Sequence, residues 1–276
     1  MKTLICIREP NFAQDTIKFG ALVAKLENTS IRLLTVVDEQ QSVIQAEANL
    51  TEVQNMIDVT DIDLKVRKGA VIDEILNESR ENGFDLVVVG AHIMAGFLDI
   101  FLRSVTEKVA NQAAMSVLVV REGRPDLQRI LISIGGQKLN RKLVEVGADL
   151  AAASGAGVTA LHVTAPVPSM YSGLDGMDET LEEMLQTETP IAQHLRWSAQ
   201  YLAEQGIDSE IKIRHGAATD EIVREAAQGD YDLVILGASD LEGAVRGLMV
   251  EKISPQIIDK APCSVFVVKE NGDGAL

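Results

Sequence analysis

The chain has 276 residues, 46% of them hydrophobic and 24% charged, a globular balance long enough for two domains. Its 41 acidic and 25 basic side chains leave a net charge of −16, a field that disfavours nucleic acid and anionic membrane surfaces. Cys6 and Cys263 belong to no CxxC pair, so no metal or redox motif is read. No run of about 18 apolar residues is present to span a membrane.

The apolar run of "MKTLICIREPNF" is too short for a signal peptide, and a cytoplasmic protein with reduced thiols is expected. In chain order, strands are expected at Leu4–Arg8, Ile31–Val37, Asp63–Arg67, Leu86–Val89 and Val117–Val120. Helices are expected between them near Thr16–Leu26, Ser42–Met56, Ile72–Glu81 and Ser104–Ala113. The strands are continuous apolar runs, as in a parallel sheet buried on both faces. Right-handed crossovers then give a doubly wound, Rossmann-like α/β domain.

The same text recurs further on. "VRKGAVIDEILNESRENGFDLVVVGAH" aligns with "IRHGAATDEIVREAAQGDYDLVILGAS", so that Gly69, Asp85 and Gly90 match Gly216, Asp232 and Gly237, each 147 residues on. "TLICI" matches "RILISI", and "MSVLVV" matches "CSVFVV". A whole domain is duplicated: domain 1 over 1–121, a polar linker over 122–128, domain 2 over 129–270 and a tail over 271–276.

Domain 2 carries an insertion over 165–206, about twenty residues longer than its counterpart. A Pro/Gly loop leads there into one acidic helix, Glu179 to Gln205, with Trp197, Tyr171 and Tyr201. The aromatics fit a longer helix covering the sheet; a lid over a cleft or a partner surface is the alternative. Ser254-Pro255 reads as a helix start, with Ser as cap and Pro at the first helical position. Val117–Val120 and Val265–Val268 are read as the last strands of the two domains; at a sheet edge such apolar strands invite pairing unless a loop covers them.

A strand, "KGAVIDEIL", a helix, "FDLVVVGA", a loop and "SVLVV" together resemble the universal stress protein family, and "RHGAATDEIV…YDLVILGAS…KAPCSVFVV" repeats the resemblance. The resemblance implies two tandem domains, each a five-stranded parallel sheet of order 3-2-1-4-5 flanked by helices. It also implies pairing of two copies through the last strand. In a tandem chain this becomes an intramolecular pseudo-dimer of 117–120 with 265–268, with a further homodimer left open.

ATP-binding members of that family carry an aspartate at the end of the first strand and G-x2-G-x9-G-[S/T] after the fourth. Glycines let backbone N–H groups approach the phosphates, and a helix N-terminus adds positive potential. In domain 1 the aspartate position falls on Arg8, the glycines on Gly90, Ile93 and Arg103, and the hydroxyl on Ser104. Val36 matches a family valine that lines the adenine pocket. In domain 2 the positions fall on Gly135, Gly237, Asp240, Val250 and Glu251; a shift of one gives Glu251 and Lys252, no better for a triphosphate.

Two readings of the domain 1 loop follow. "SVTE" is a capping box, with Glu107 reaching back to Ser104, which needs no ligand. Alternatively Arg8, Val36, Gly90, Arg103 and Ser104 hold a phosphate or another anion. Arg8 paired with Glu9, and Arg103 turned outward, would leave no such site. His92, His162, His194 and His215 stand alone, so no metal site is read, and His162 is expected to be structural. No GxSxG or HExxH occurs, and no catalytic residue is identified.

The expected function is therefore a non-catalytic stress-response module with a degenerate ATP motif in both halves and no cofactor. The alternative is a stress protein that still binds ATP or another anion in domain 1, with residual ATPase. A third reading, an electron-transfer flavoprotein subunit, is disfavoured by the duplication and the short units. The protein partners are not legible.

Overall fold

A computed structural model describes residues 2–8, 14–26, 29–55, 57, 62–91, 97–121, 126–135, 141–164, 180–238 and 253–269. The chain divides into two compact units, Met1–Asp126 with Cys263–Leu276, and Leu127–Pro262.

Unit 1 alternates β1 (Lys2–Cys6), α1 (Gln14–Leu26), β2 (Ser30–Val37), α2 (Val43–Gln54), β3 (Ile62–Lys68), α3 (Val71–Glu81), β4 (Leu86–Ala91), α4 (Phe97–Gln112) and β5 (Ser116–Arg121). Its strands run parallel in the order β3-β2-β1-β4-β5, as the family resemblance implies. Ile5 lies between Leu33 and Val88, and Val88 is opposite Leu118. These central residues are fully buried because helices cover both faces, which is why the strands are apolar without alternation.

Unit 2 repeats the pattern as β6 (Arg129–Ile134), α5 (Arg141–Ser154), β7 (Gly157–Thr164), α6 (Leu181–Gln186), α7 (Pro190–Glu204), β8 (Ser209–His215), α8 (Ala218–Gln228), β9 (Leu233–Gly237) and α9 (Ile253–Lys260). Its parallel strands follow the order β8-β7-β6-β9. Both units seat their first helix with a glycine. A Cβ on Gly20 would come 2.9 Å from Val88 and 3.3 Å from Ile5; one on Gly147 would strike Ile132 and come 3.4 Å from Ile235.

The final strand, β10 (Ser264–Val268), belongs to unit 1. It runs antiparallel to β5, with Val265 opposite Val119, Phe266 opposite Leu118 and Val267 opposite Val117. Two serines close the pair reciprocally: Arg121 N donates to Ser264 Oγ at 3.2 Å, and Lys269 N to Ser116 Oγ at 3.1 Å. The Lys269 ammonium then donates to the carbonyls of Ala110 (2.8 Å) and Ala113, at the end of α4 where the helix dipole is negative.

Three expected helices differ. α4 begins at Phe97 rather than Ser104. Phe97, Leu98, Phe101, Leu102 and Val105 already follow helical spacing, so a capping-box match inside that run does not start the helix. The single acidic helix of the insertion is two helices, α6 and α7. Thr189 caps α7, accepting from Ala192 N, and Pro190 occupies the first turn, where its missing N–H has no partner to lose. α9 starts at Ile253, which puts Ser254 and Pro255 inside its first turn.

Candidate functional site: the carboxyl ends of the strands in each unit

In an open α/β sheet the ligand crevice lies beyond the carboxyl ends of the strands where the strand order reverses. In unit 1 that point is between β1 and β4. Arg8 stands two residues past β1, exposed, with no bond to a described residue. Val36 is half-buried near the end of β2, opposite Arg67 of β3. Gly90 is half-buried in β4 beside Val120.

Gly90 does not adopt a left-handed backbone. Its missing Cβ is needed for another reason: the Thr16 hydroxyl, from the first turn of α1, fills that space. Thr106 Oγ1 donates to the Gly90 carbonyl at 3.4 Å. Ser104 and Arg103 lie within α4 rather than at its start. Their side chains, with Ile93 and His92, fall outside the described residues.

The same end of unit 2 is built differently. Gly135, exposed after β6, replaces Arg8, and a Cβ there would sit 3.6 Å from His162 Nδ1. Leu143 takes the place of Thr16, and a Cβ on Gly237 would meet it at 3.5 Å, ordinary contact. His162 donates from Nδ1 to the Ile134 carbonyl at 2.8 Å, the bond that Thr35 makes to Ile7 at 3.1 Å in unit 1. Thr164 Oγ1 and His215 Nδ1 are 2.6 Å apart. Asp240, Val250, Glu251 and Lys252 lie outside the described residues, as does Tyr171 of the insertion.

The most conspicuous charged group of each unit is not among the expected site residues. Glu78, on the buried face of α3, is 1% exposed. It accepts from Arg32 at 2.5 Å, Arg67 at 2.6 Å and Asn82 Nδ2 at 3.0 Å. Arg67 also reaches Glu74 and Glu81, and Arg32 reaches Asp63 while lying over the Phe84 ring. Glu225 of α8, 2% exposed, is 147 residues on; it accepts from Lys212 (3.0 Å), Arg214 (2.6 Å) and Tyr231 (3.1 Å). Burial pushes both carboxyls up, but the donors outweigh it and hold each below the usual carboxylate range. The legible signal was a carboxylate on the apolar face of the helix at the same place in both copies, each with an arginine eleven residues before it (Arg67, Arg214).

These glutamates are saturated with donors, so they brace the helices against the sheet rather than move protons. Burial and the charge of Glu78 push the Cys6 thiol far up, away from a nucleophilic thiolate. Among the described residues no three His, Cys, Asp or Glu lie close enough for a metal ion, and no helix is long and apolar enough to cross a membrane.

The profile of the universal stress protein family matches residues 1–121 and again 127–269. A universal stress protein of Thermus aquaticus is 29% identical over 141 residues, 51% of this chain and 97% of the relative. One from Methanocaldococcus jannaschii is 24% identical over 152 residues, 55% of this chain and 88% of the relative. The crystal structure of a universal stress protein from Archaeoglobus fulgidus superposes with a TM-score of 0.70 at 18% identity, covering 99% of this chain and 97% of that one. Relatives of half the length, a profile matched twice and a repeated strand order agree: the chain belongs to the universal stress protein family and carries that family's domain in tandem.

Proposed function

We propose that this protein acts in the cytoplasm as a non-catalytic, regulatory member of its family, with an ATP motif that is degenerate in both halves. The observation that carries the reading is the contact between Thr16 and Gly90. The glycine kept from the phosphate motif is explained by helix packing, without a nucleotide. Two further features support it: Arg8 replaces the carboxylate that would hold a nucleoside, and α4 encloses Ser104 instead of presenting it at a helix start.

Arg8 favours a second reading, an anion site in unit 1. An exposed guanidinium with no partner among the described residues is suited to a phosphate or carboxylate. Calorimetric titration of ATP with Mg²⁺, and separately of inorganic phosphate, into the intact protein tests both. No heat up to millimolar ATP is expected. Micromolar ATP binding would overturn the first reading, and phosphate binding lost in Arg8→Ala would establish the second.

A further inference from the structure

The insertion of unit 2 carries a side-chain column with no counterpart on α2 of unit 1, whose sequence VIQAEANLTEVQ has no aromatic residue. His194, Trp197 and Tyr201 are three and four residues apart on α7, so they share one stripe of the helix. The His194 and Trp197 rings stack at 5.5 Å with planes 20° apart, and Trp197 and Tyr201 at 5.2 Å and 24°. Arg141, the first residue of α5, places its guanidinium 4.6 Å from the centre of the indole. One ring system thus holds an imidazole and a permanent cation together. His194 is only 7% exposed, and neither ring nitrogen bonds a described residue.

We propose that this α5–α7 seam is an acid-responsive joint, in which protonation of His194 puts a second cation beside Arg141 and loosens α7 from α5. The charges around it leave Arg141 in control. On α5, Glu145 and Asp149 lie one and two turns beyond Arg141, and their charge bears on Tyr201. On α6, Glu182 is exposed and Glu183 is bonded to Thr180. On β8, Lys212 and Arg214 turn to Glu225, and His215 is bonded to Thr164. Burial and then Arg141 hold the imidazole below its ordinary value of 6.5. The neutral ring is therefore the folded form. The stability it provides is complete above about 6.5 and is lost as pH falls from there through the lowered value.

Trp197 is the only tryptophan, so the emission of the full-length protein reports on the seam. Between pH 8 and 4.5 the emission should follow a single sigmoid with its midpoint below 6.5, while far-UV circular dichroism stays constant. Acrylamide quenching should increase at least about twofold across the same range. Arg141→Gln should raise the midpoint toward 6.5, because it removes the cation that adds to the effect of burial. His194→Gln should remove the sigmoid. The proposal is overturned by a flat emission, by quenching that does not change, or by a sigmoid that persists in His194→Gln. If that variant does not fold, a midpoint unmoved by Arg141→Gln overturns it equally.

Discussion

The two units bury the same glutamate and neutralise it with different residues. In unit 1, Glu78 accepts from two arginines, Arg32 of β2 and Arg67 of β3, and from the Asn82 amide just past α3 at 3.0 Å. In unit 2, Thr159 occupies the place of Arg32, Gly229 that of Asn82 and Tyr231 that of Phe84. Lys212 and the Tyr231 hydroxyl supply the missing donors. The cation over the aromatic ring is kept, but it is Arg32 over Phe84 in one case and Arg129 over Tyr231 in the other. What the fold conserves between its own halves is satisfaction of a buried charge, not the identity of the donors. A buried carboxylate left without partners is costly, whereas exchange of one donor for another is tolerated.

The largest effect expected from this comparison is Glu225→Ala. It would leave Arg214 with Glu221 at 3.7 Å and the neutral amide of Gln228 at 2.9 Å. In Glu78→Ala, by contrast, Arg67 keeps Glu74 at 2.6 Å and Glu81 at 2.9 Å, and Arg32 keeps Asp63. Breaking a buried pair costs roughly 3–5 kcal/mol. Glu225→Ala should fall near the lower end of that range, and Glu78→Ala at about half of it. Urea unfolding of the two variants checks the order, and a larger loss for Glu78→Ala would break the comparison. Both carboxyls are held below 4.5 in the fold, so their contribution is full above that value and lost as pH falls through the lowered one.

A smaller difference should separate the motif glycines. Gly90→Ala drives a methyl into Thr16, and overpacking of this kind costs about 1–3 kcal/mol. Gly237→Ala meets only Leu143 at 3.5 Å, and should lie within about 0.5 kcal/mol of the parent. Thr16→Ala should rescue Gly90→Ala in a double-mutant cycle. Equal losses at both glycines, with no rescue, would mean that the backbone and not the neighbour demands glycine at these positions.

The strands were legible because each is an apolar run, and the duplication because Gly69, Asp85 and Gly90 recur as Gly216, Asp232 and Gly237; the strand order came from the family resemblance. Gly69 and Gly216 both adopt φ 152°, a backbone that side chains rarely take, which is why both copies retain them. The start of α4 was not legible: a capping box at Ser104 is a local pattern, and the apolar spacing from Phe97 overrides it. The break before Pro190 was present in the text but was passed over in favour of overall acidity. The ion clusters were hidden for another reason. Arg32, Arg67 and Glu78 come from three elements, and only the folded sheet brings them together.

Loss of a single neutral donor tests how far donor exchange reaches. The Tyr231 hydroxyl lies 2.8 Å from Thr159 Oγ1 and 3.1 Å from Glu225. Tyr231→Phe removes it and makes the ring match Phe84, while Arg129 keeps its place 5.0 Å from the ring centre. Glu225 would retain Lys212 and Arg214, and Thr159 would retain Glu210 at 3.0 Å. Neither of these two buried partners is orphaned, so the loss should be that of one ordinary hydrogen bond, about 1 kcal/mol. A thermal or urea unfolding curve resolves a change of that size. A loss of about 3 kcal/mol would show that the hydroxyl is as necessary as Arg32 is in unit 1. A negligible loss would show that two cations suffice for Glu225, without the third, neutral donor that the Asn82 amide supplies to Glu78 at 3.0 Å.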